Sequence, residues 1–114
     1  MNLIRNLMKE SLEQLFPDVI YRSNSMYFRV ETVPKFIDWC DESNIMIVGI
    51  EGFEFEDNVI KPRLDLIADF SSATENIEHW DLSRKLLNQA ARNFFETNHV
   101  KDLVFNFVLK EVGI

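Results

Sequence analysis

The chain has 114 residues, of which 46% are hydrophobic, and its formal net charge is −7. This length suits a single domain, residues 1–114, that buries a core of its own, and the hydrophobic content excludes a disordered chain. The excess of carboxylates argues against nucleic acid and against an anionic membrane surface as binding partners.

The chain opens on a predicted amphipathic helix, residues 2–16. Its apolar side chains recur at intervals of three and four residues from Leu3 to Phe16, and Pro17 ends the pattern. The segment lacks the uninterrupted apolar stretch of a signal peptide, so we expect it to remain in the mature protein. The single cysteine, Cys40, is typical of a reducing compartment, and we expect a cytoplasmic protein.

Two short strands and a second helix are predicted next. The residue patterns of 19–21 and 26–31 are typical of strands joined by a turn. Thr32 is a candidate N-cap, and Pro34 is tolerated in the first turn of a helix. We expect this helix to end near Ser43.

A buried strand and a β-hairpin follow. Residues 45–50 form a continuous apolar run, as in a strand that is covered on both faces. Asp57 and Asn58 tolerate the positive φ that a two-residue hairpin turn requires. Pairing across this turn matches apolar to apolar and polar to polar residues: Phe55 with Ile60, Glu54 with Lys61, and Phe53 with Pro62. The register predicts that Phe53 and Phe55 lie on the buried face.

The second strand of the hairpin is expected to run on beyond this register. Its continuation requires a bulge at Gly52, because Glu51 would otherwise face Leu64. With the bulge in place, Leu64 and Leu66 are predicted to point inward. Pro62 indicates an edge strand, because proline has no N–H to donate to a second neighbour.

A long helix and a last strand complete the predicted order. Ser72 and Glu75 form a capping-box pattern, and the helix that follows is expected to end near Asn98. Alternating apolar residues at 103–109 indicate a strand. The predicted fold class is α+β, with three helices on a mixed, mostly antiparallel sheet of four or five strands in the order α-β-β-α-β-β-α-β.

The carboxylates are concentrated in one part of the chain. Twelve of the 19 lie between Asp38 and Asp81, where Lys61 and Arg63 are the only cations. A concentration of one sign steers a partner of the opposite sign, although it also occurs on the solvated surface of ordinary acidic proteins. Aromatic residues lie among the acids: Trp39, Phe53, Phe55 and Trp80. An acidic rim around an aromatic anchor is typical of a protein that binds a basic protein.

Three of the carboxylates support an alternative interpretation. Glu51, Asp65 and Asp69 are the residue types that bind Mg²⁺ or act as general acids and bases. However, Asp65 and Asp69 would be about 13 Å apart along one strand. A small carboxylate-based enzyme, a metal-binding protein and an acidic adaptor subunit remain alternatives to a binding protein.

The other chemistry-bearing residues favour no catalytic, metal or cofactor site. His79, His99 and Cys40 lack the spacing of a zinc site, and Cys40 lies on the apolar side of its helix, as an inert buried thiol does. A modest basic face of the long helix is interpreted as solvated surface: Arg84, Lys85 and Arg92.

A resemblance to a known family is carried by the segments 38–42 (DWCDE), 49–53 (GIEGF) and 65–70 (DLIADF). The chain resembles immunity proteins in its size, its charge and the placement of its aromatic residues. Bacteria pair these proteins with toxic nucleases in colicin and contact-dependent growth inhibition systems. The resemblance implies a stoichiometric inhibitor that performs no chemistry and needs no cofactor. Its partner would be a cognate toxin, expected to be a basic nuclease domain whose substrate groove the acidic face covers. Fast, charge-steered association suits that task.

The contact set that we predict consists of acids of the second helix, the hairpin and the strand after it, with one aromatic anchor. The acids are Asp38, Asp41, Glu42, Glu54, Glu56, Asp57, Asp65 and Asp69, and the anchor is Trp39.

Overall fold

The computed structural model describes residues 12–74, 77–100 and 102–111, and most of the predicted first helix lies outside these residues. The described residues form helical segments and strands in the predicted order. The elements are α1 (residues 12–15), β1 (Ile20–Arg22), β2 (Ser25–Arg29), α2 (Val33–Glu42), β3 (Ile45–Glu56), β4 (Val59–Asp69), α3 (Trp80–Asn98) and β5 (Leu103–Glu111). A short 3-10 helix, Ser71–Thr74, lies between β4 and α3.

The five strands form one sheet in the order β1-β2-β5-β3-β4, and every pair is antiparallel. The α+β class and the mostly antiparallel sheet are therefore confirmed. β5 comes last in the chain, yet it lies between the hairpins β1–β2 and β3–β4. Its residues Leu103, Val104 and Phe105 are all buried, as a strand in the middle of a sheet requires.

The helices α2 and α3 contact each other and share one apolar core with the sheet. Phe36 of α2 and Phe95 of α3 pack with Ile47 and Ile50 of β3 in this core. Residues 45–50 are all buried, as the continuous apolar run predicts. The helices therefore form a single layer on one face of the sheet.

The two long helices begin differently from each other. Thr32 and Pro34 occupy the first turn of α2 as expected, although the Thr32 side chain makes no capping hydrogen bond. The predicted start of α3 is wrong, because Ser72 lies in the separate 3-10 helix and α3 begins at Trp80. The Ser71 N–H donates to Asp69 Oδ1, and the Thr74 hydroxyl donates to the Ser71 carbonyl. These local hydrogen bonds stabilise the separate turn.

The hairpin β3–β4 has the predicted register. Phe55 pairs with Ile60, Glu54 with Lys61 and Phe53 with Pro62, and the turn residues Asp57 and Asn58 have φ values of 52° and 64°. The bulge at Gly52 is also present, because Glu51 pairs with Ile67. Residues 63–66 of β4 thus stand opposite Gly52, which is a longer insertion than the single-residue bulge of the simplest kind.

The length of this bulge overturns the prediction for Leu64. Leu66 is 5% exposed and lies over Gly52, where an added Cβ would come within 2.9 Å of the Leu66 Cβ. Leu64 is instead 80% exposed. The extra residues break the alternation of β4, so a strict period of two cannot keep both leucines on the inner face.

The outer part of the hairpin, residues 53–62, is here called the hairpin arm. Gly52 faces the helical layer, since its neighbours there include Leu66 and Phe105, so the alternation directs Phe53 and Phe55 to the opposite face. Both are half-buried, and their predicted position on the main buried face is wrong.

The hairpin arm reaches across β5 to the strands β1 and β2. The Phe53 ring meets the Tyr27 ring edge to face at 5.0 Å between centroids, and the Arg29 guanidinium lies 5.2 Å from the Phe55 ring centroid. At the turn, Arg22 Nη2 donates to Asn58 Oδ1 at 2.7 Å. These aromatic, cation–π and polar contacts connect the hairpin arm to β1 and β2 on the face opposite the helices.

Candidate binding surface

Two acids of the predicted contact set are neutralised by α3. Arg92 Nη2 donates to Asp38 Oδ1 at 2.6 Å, and Arg84 Nη1 donates to Asp41 Oδ1 at 2.8 Å. The Arg84 side chain is buried, so its assignment to a solvated basic face is wrong. Helical spacing places Arg84 in line with Asn88 and Phe95, which both face the sheet.

Asn88 links the same carboxylate to the edge of the sheet. Its Nδ2 donates to Asp41 Oδ1 at 2.8 Å and to the Ile45 carbonyl at 3.0 Å, and its Oδ1 accepts from the Ile47 N–H at 2.7 Å. Ladder pairing of β3 with β4 extends only as far as Gly49. The side-chain amide of Asn88 thus takes the place of a neighbouring strand at the start of β3.

The rest of α2 offers little free acidic surface. Trp39 is half-buried, and its ring stacks on Phe36 at 5.8 Å between centroids. Glu42 is exposed at the C-terminal end of the helix. Of the four predicted contact residues on α2, Glu42 is the one that is exposed and that takes part in none of these contacts.

The hairpin carries the other predicted acids. Glu54 and Glu56 alternate with the phenylalanines, so they lie on the face of the hairpin arm that the helices share, and both are exposed there. Asp57 is exposed in the turn, and Asp65 and Asp69 are exposed on β4. Asp69 pairs with Gly49 at the far end of β4 from the turn.

Arg63 joins two of these acids. Its Nε and Nη2 donate to the Asp65 carboxylate at 2.9 and 2.8 Å, and its Nη1 lies 3.7 Å from Glu54 Oε2. The hydrogen bond from Arg63 lowers the pKa of Asp65 below its usual value. Hydrogen bonding from the Ser71 side chain and then from its backbone N–H lowers the pKa of Asp69 in the same way. Both carboxylates are therefore charged at neutral pH.

The predicted contact set is thus divided into two groups. The α2 group lies before the first residue of β3 and receives Arg84 and Arg92 from α3, whereas Glu56 and Asp57 lie at the other end of β3. The β3–β4 hairpin, from Glu51 to Asp69, holds six carboxylates against Lys61 and Arg63. The hairpin therefore keeps an excess of negative charge.

The alternative cluster of Glu51, Asp65 and Asp69 is not assembled as a metal site. Asp65 is bound to Arg63, and Asp69 accepts from the Ser71 backbone. Across the residues that the structure describes, no group of three His, Cys, Asp or Glu side chains is placed to hold a metal ion.

Cys40 lies in the core between α2 and the sheet. It is fully buried, and burial raises the pKa of its thiol, with the nearby charge of Asp41 adding to the effect. A thiol held in its neutral form is a poor nucleophile. The structure thus supports the interpretation of Cys40 as a structural residue.

Comparison of the chain with protein-family models, with curated proteins and with solved structures finds no match. Among the described helices, none is long and apolar enough to cross a bilayer. The charge, exposure and contacts of the residues themselves are therefore the basis for a functional proposal.

Sequence reasoning missed Arg63, Leu64 and Asn88. A signal was present for Asn88, because it lies between Arg84 and Ala91 on the stripe of α3 that faces the core. A polar residue at a core position indicates a buried hydrogen-bond network. No comparable signal was present for Leu64, because its exposure depends on the length of the bulge.

Proposed function

We propose that this protein is an inhibitor of the immunity-protein kind, which binds a basic toxin in the cytoplasm and neutralises it without chemistry of its own. The β3–β4 hairpin would make the contact, and a nuclease domain is the expected partner. The observation that carries the proposal is the division of charge. The arginines of α3 pair with Asp38 and Asp41, whereas the hairpin keeps six carboxylates against two cations.

The division of charge favours the hairpin over α2 as the contact. The charge of Asp41 is already offset by the buried Arg84, so this carboxylate adds less to the attraction of a basic partner. Glu56 and Asp57 are exposed at the tip of the hairpin arm. Exposed carboxylates in such a position raise the association rate with a basic partner.

The edge of the sheet indicates how contact is made. β4 is an edge strand, and an edge strand is a ready template for strand addition. Here Pro62 and the bulge at residues 63–66 interrupt it. Recognition is therefore expected through side chains of the hairpin rather than through a backbone ladder with the partner.

The experiment compares affinity capture by the wild-type chain and by two variants with the same change of charge. The hairpin variant carries Glu54→Gln, Glu56→Lys and Asp57→Asn, and asparagine keeps the positive φ of the turn. The matched control carries Glu42→Lys and Glu96→Lys, both at exposed positions on helices. Captured proteins are identified and purified. The rate at which each associates with the wild-type chain and with the two variants is then measured at several salt concentrations.

We expect the wild type and the control to capture one basic protein, and we expect the hairpin variant to fail to capture it. With the purified pair, the association rate should fall steeply as salt rises, and the hairpin variant should flatten that dependence. Equal capture by all three chains, or a captured partner that is acidic, would contradict the proposal.

A further inference from the structure

Leu64 is the most exposed large hydrophobic side chain among the described residues, at 80% of its full accessible area. It lies in the bulge of β4, between Arg63 and Asp65. These two side chains are joined by hydrogen bonds of 2.9 and 2.8 Å, so they lie on the same side of the strand. Leu64 stands between them and faces solvent, in contrast to Leu66, which is buried.

The bulge is held from both of its sides. Arg63 is fixed to Asp65 and lies 3.7 Å from Glu54 of the neighbouring strand. On the inner side, Leu66 is buried over Gly52. A side chain that is held in place before binding loses less conformational entropy when a partner covers it. Bulges of this kind commonly direct a side chain out of the sheet for a function.

The charges around Leu64 select the chemistry of the partner. Its chain neighbours are Arg63 and Asp65, which pair with each other, Glu54 lies 3.7 Å from Arg63, and the hairpin as a whole has a negative charge excess. A second copy of this chain would bring the same negative hairpin against itself, which like-charge repulsion disfavours. A surface with lysines and arginines around an apolar pocket is complementary to it.

We propose that Leu64 is the apolar anchor of the partner interface, and that it inserts into an apolar pocket rimmed by basic residues on the partner. This inference rests on the proposed function and identifies its central contact. Leu64 takes the role of anchor that the sequence assigned to Trp39, because Trp39 already packs on Phe36 within this chain. Interfaces take most of their affinity from a few such anchors, and the surrounding charges give steering and register.

The test uses two synthetic peptides as probes, Lys-Arg-Lys-Phe-Lys-Arg-Lys and the same peptide with serine in place of phenylalanine. Each is titrated at low ionic strength into the isotope-labelled full chain, and the dissociation constant is obtained from backbone amide shifts. The same titrations are made with Leu64→Ser and with Leu86→Ser. Leu86 is a matched control, because it is also exposed, at 62%, and lies on α3.

The wild type is expected to bind the phenylalanine peptide about ten-fold more tightly than the serine peptide, as burial of part of an aromatic ring against Leu64 would give. The largest shifts should lie at residues 63–65. Leu64→Ser should abolish the preference, and Leu86→Ser should retain it.

Two results would overturn the inference in different ways. If both peptides bind the hairpin with equal affinity, or if Leu64→Ser keeps the preference, the anchor is wrong and the acidic hairpin remains a binding surface. If neither peptide shifts any hairpin residue, the proposed function fails together with the anchor.

Discussion

The Ile47 N–H donates a buried hydrogen bond of 2.7 Å to the side-chain Oδ1 of Asn88. The other end of the same amide donates to the Ile45 carbonyl at 3.0 Å. These two backbone groups lie on the edge of β3 beyond its pairing with β4, so they would otherwise be buried without a partner. The Asn88 side chain of α3 thus pairs two backbone groups at the start of the longest strand.

Asn88→Ala should lower the free energy of unfolding by about 2–4 kcal/mol, because it leaves the Ile47 N–H and the Ile45 carbonyl unpaired in the core. Urea denaturation followed by circular dichroism measures the change. Asn93→Ala is the control on the same helix; this residue is exposed, and the expected change is within about 0.5 kcal/mol. Equal unfolding midpoints for the two variants would show that the Asn88 amide is dispensable.

Asp41→Asn should destabilise the protein by about 1–3 kcal/mol, because it removes the carboxylate 2.8 Å from the buried Arg84 guanidinium and leaves the more distant Asp81, at 3.8 Å. Asp38→Asn removes a more exposed pair with Arg92 and should cost less than about 1 kcal/mol. A double-mutant cycle with Arg84→Met gives the coupling between Asp41 and Arg84. Additive effects in that cycle would mean that the two side chains do not stabilise each other.

Gly52→Ala should destabilise the protein by about 1–3 kcal/mol, since the new Cβ would lie 2.9 Å from both Cβ and Cδ1 of Leu66. Gly49→Ala is the matched control on the same strand, because its nearest atoms would be 3.5 Å away, an ordinary contact. Adding Leu66→Ala removes the Cδ1 contact and keeps the Cβ contact, so Gly52→Ala should cost less in that background without becoming neutral. Thermal unfolding of the four variants tests this, and an equal cost for both glycine substitutions would contradict it.

Arg63→Gln should raise the pKa of Asp65 toward the usual carboxyl value of about 4, since Arg63 is the main cause of its lowered pKa. A carboxyl whose pKa is lowered by folding adds stability above its unfolded pKa, and this stability is lost as the pH falls through the folded pKa. The variant should therefore lose less stability than the wild type when the pH falls from above the unfolded pKa of Asp65 to below its folded pKa. Carboxyl NMR titration measures both groups, and Asp69, whose pKa is lowered by Ser71, should titrate unchanged.

Cys40 should not react with a thiol reagent in the folded protein, because it is fully buried and its thiol pKa is raised. In denaturant, one thiol per chain should react. Spectrophotometric counting of released thiolate from an aromatic disulfide reagent measures both states. Rapid labelling of the folded chain would show that the core around Cys40 opens readily.

The local sequence was sufficient to predict most elements and the hairpin register. The turn at Asp57 and Asn58 and the pair Phe55–Ile60 involve residues that are neighbours along the chain, so residue type and alternation carry the information. The run of residues 45–50 predicted a fully covered strand for the same reason. The excess of carboxylates between Asp38 and Asp81 is likewise a property of the sequence.

Contacts between distant residues settled which acids remain available. Arg84 and Arg92 reach Asp41 and Asp38 across 43 and 54 positions of the chain, and a count of charges along the sequence contains no distances. The exposure of Leu64 depends in the same way on how many residues of β4 stand opposite Gly52. Composition therefore established that the chain is acidic, whereas packing offset two acids of α2 and left a charge excess on the hairpin, because charges neutralise each other only where the fold brings them within a few ångströms.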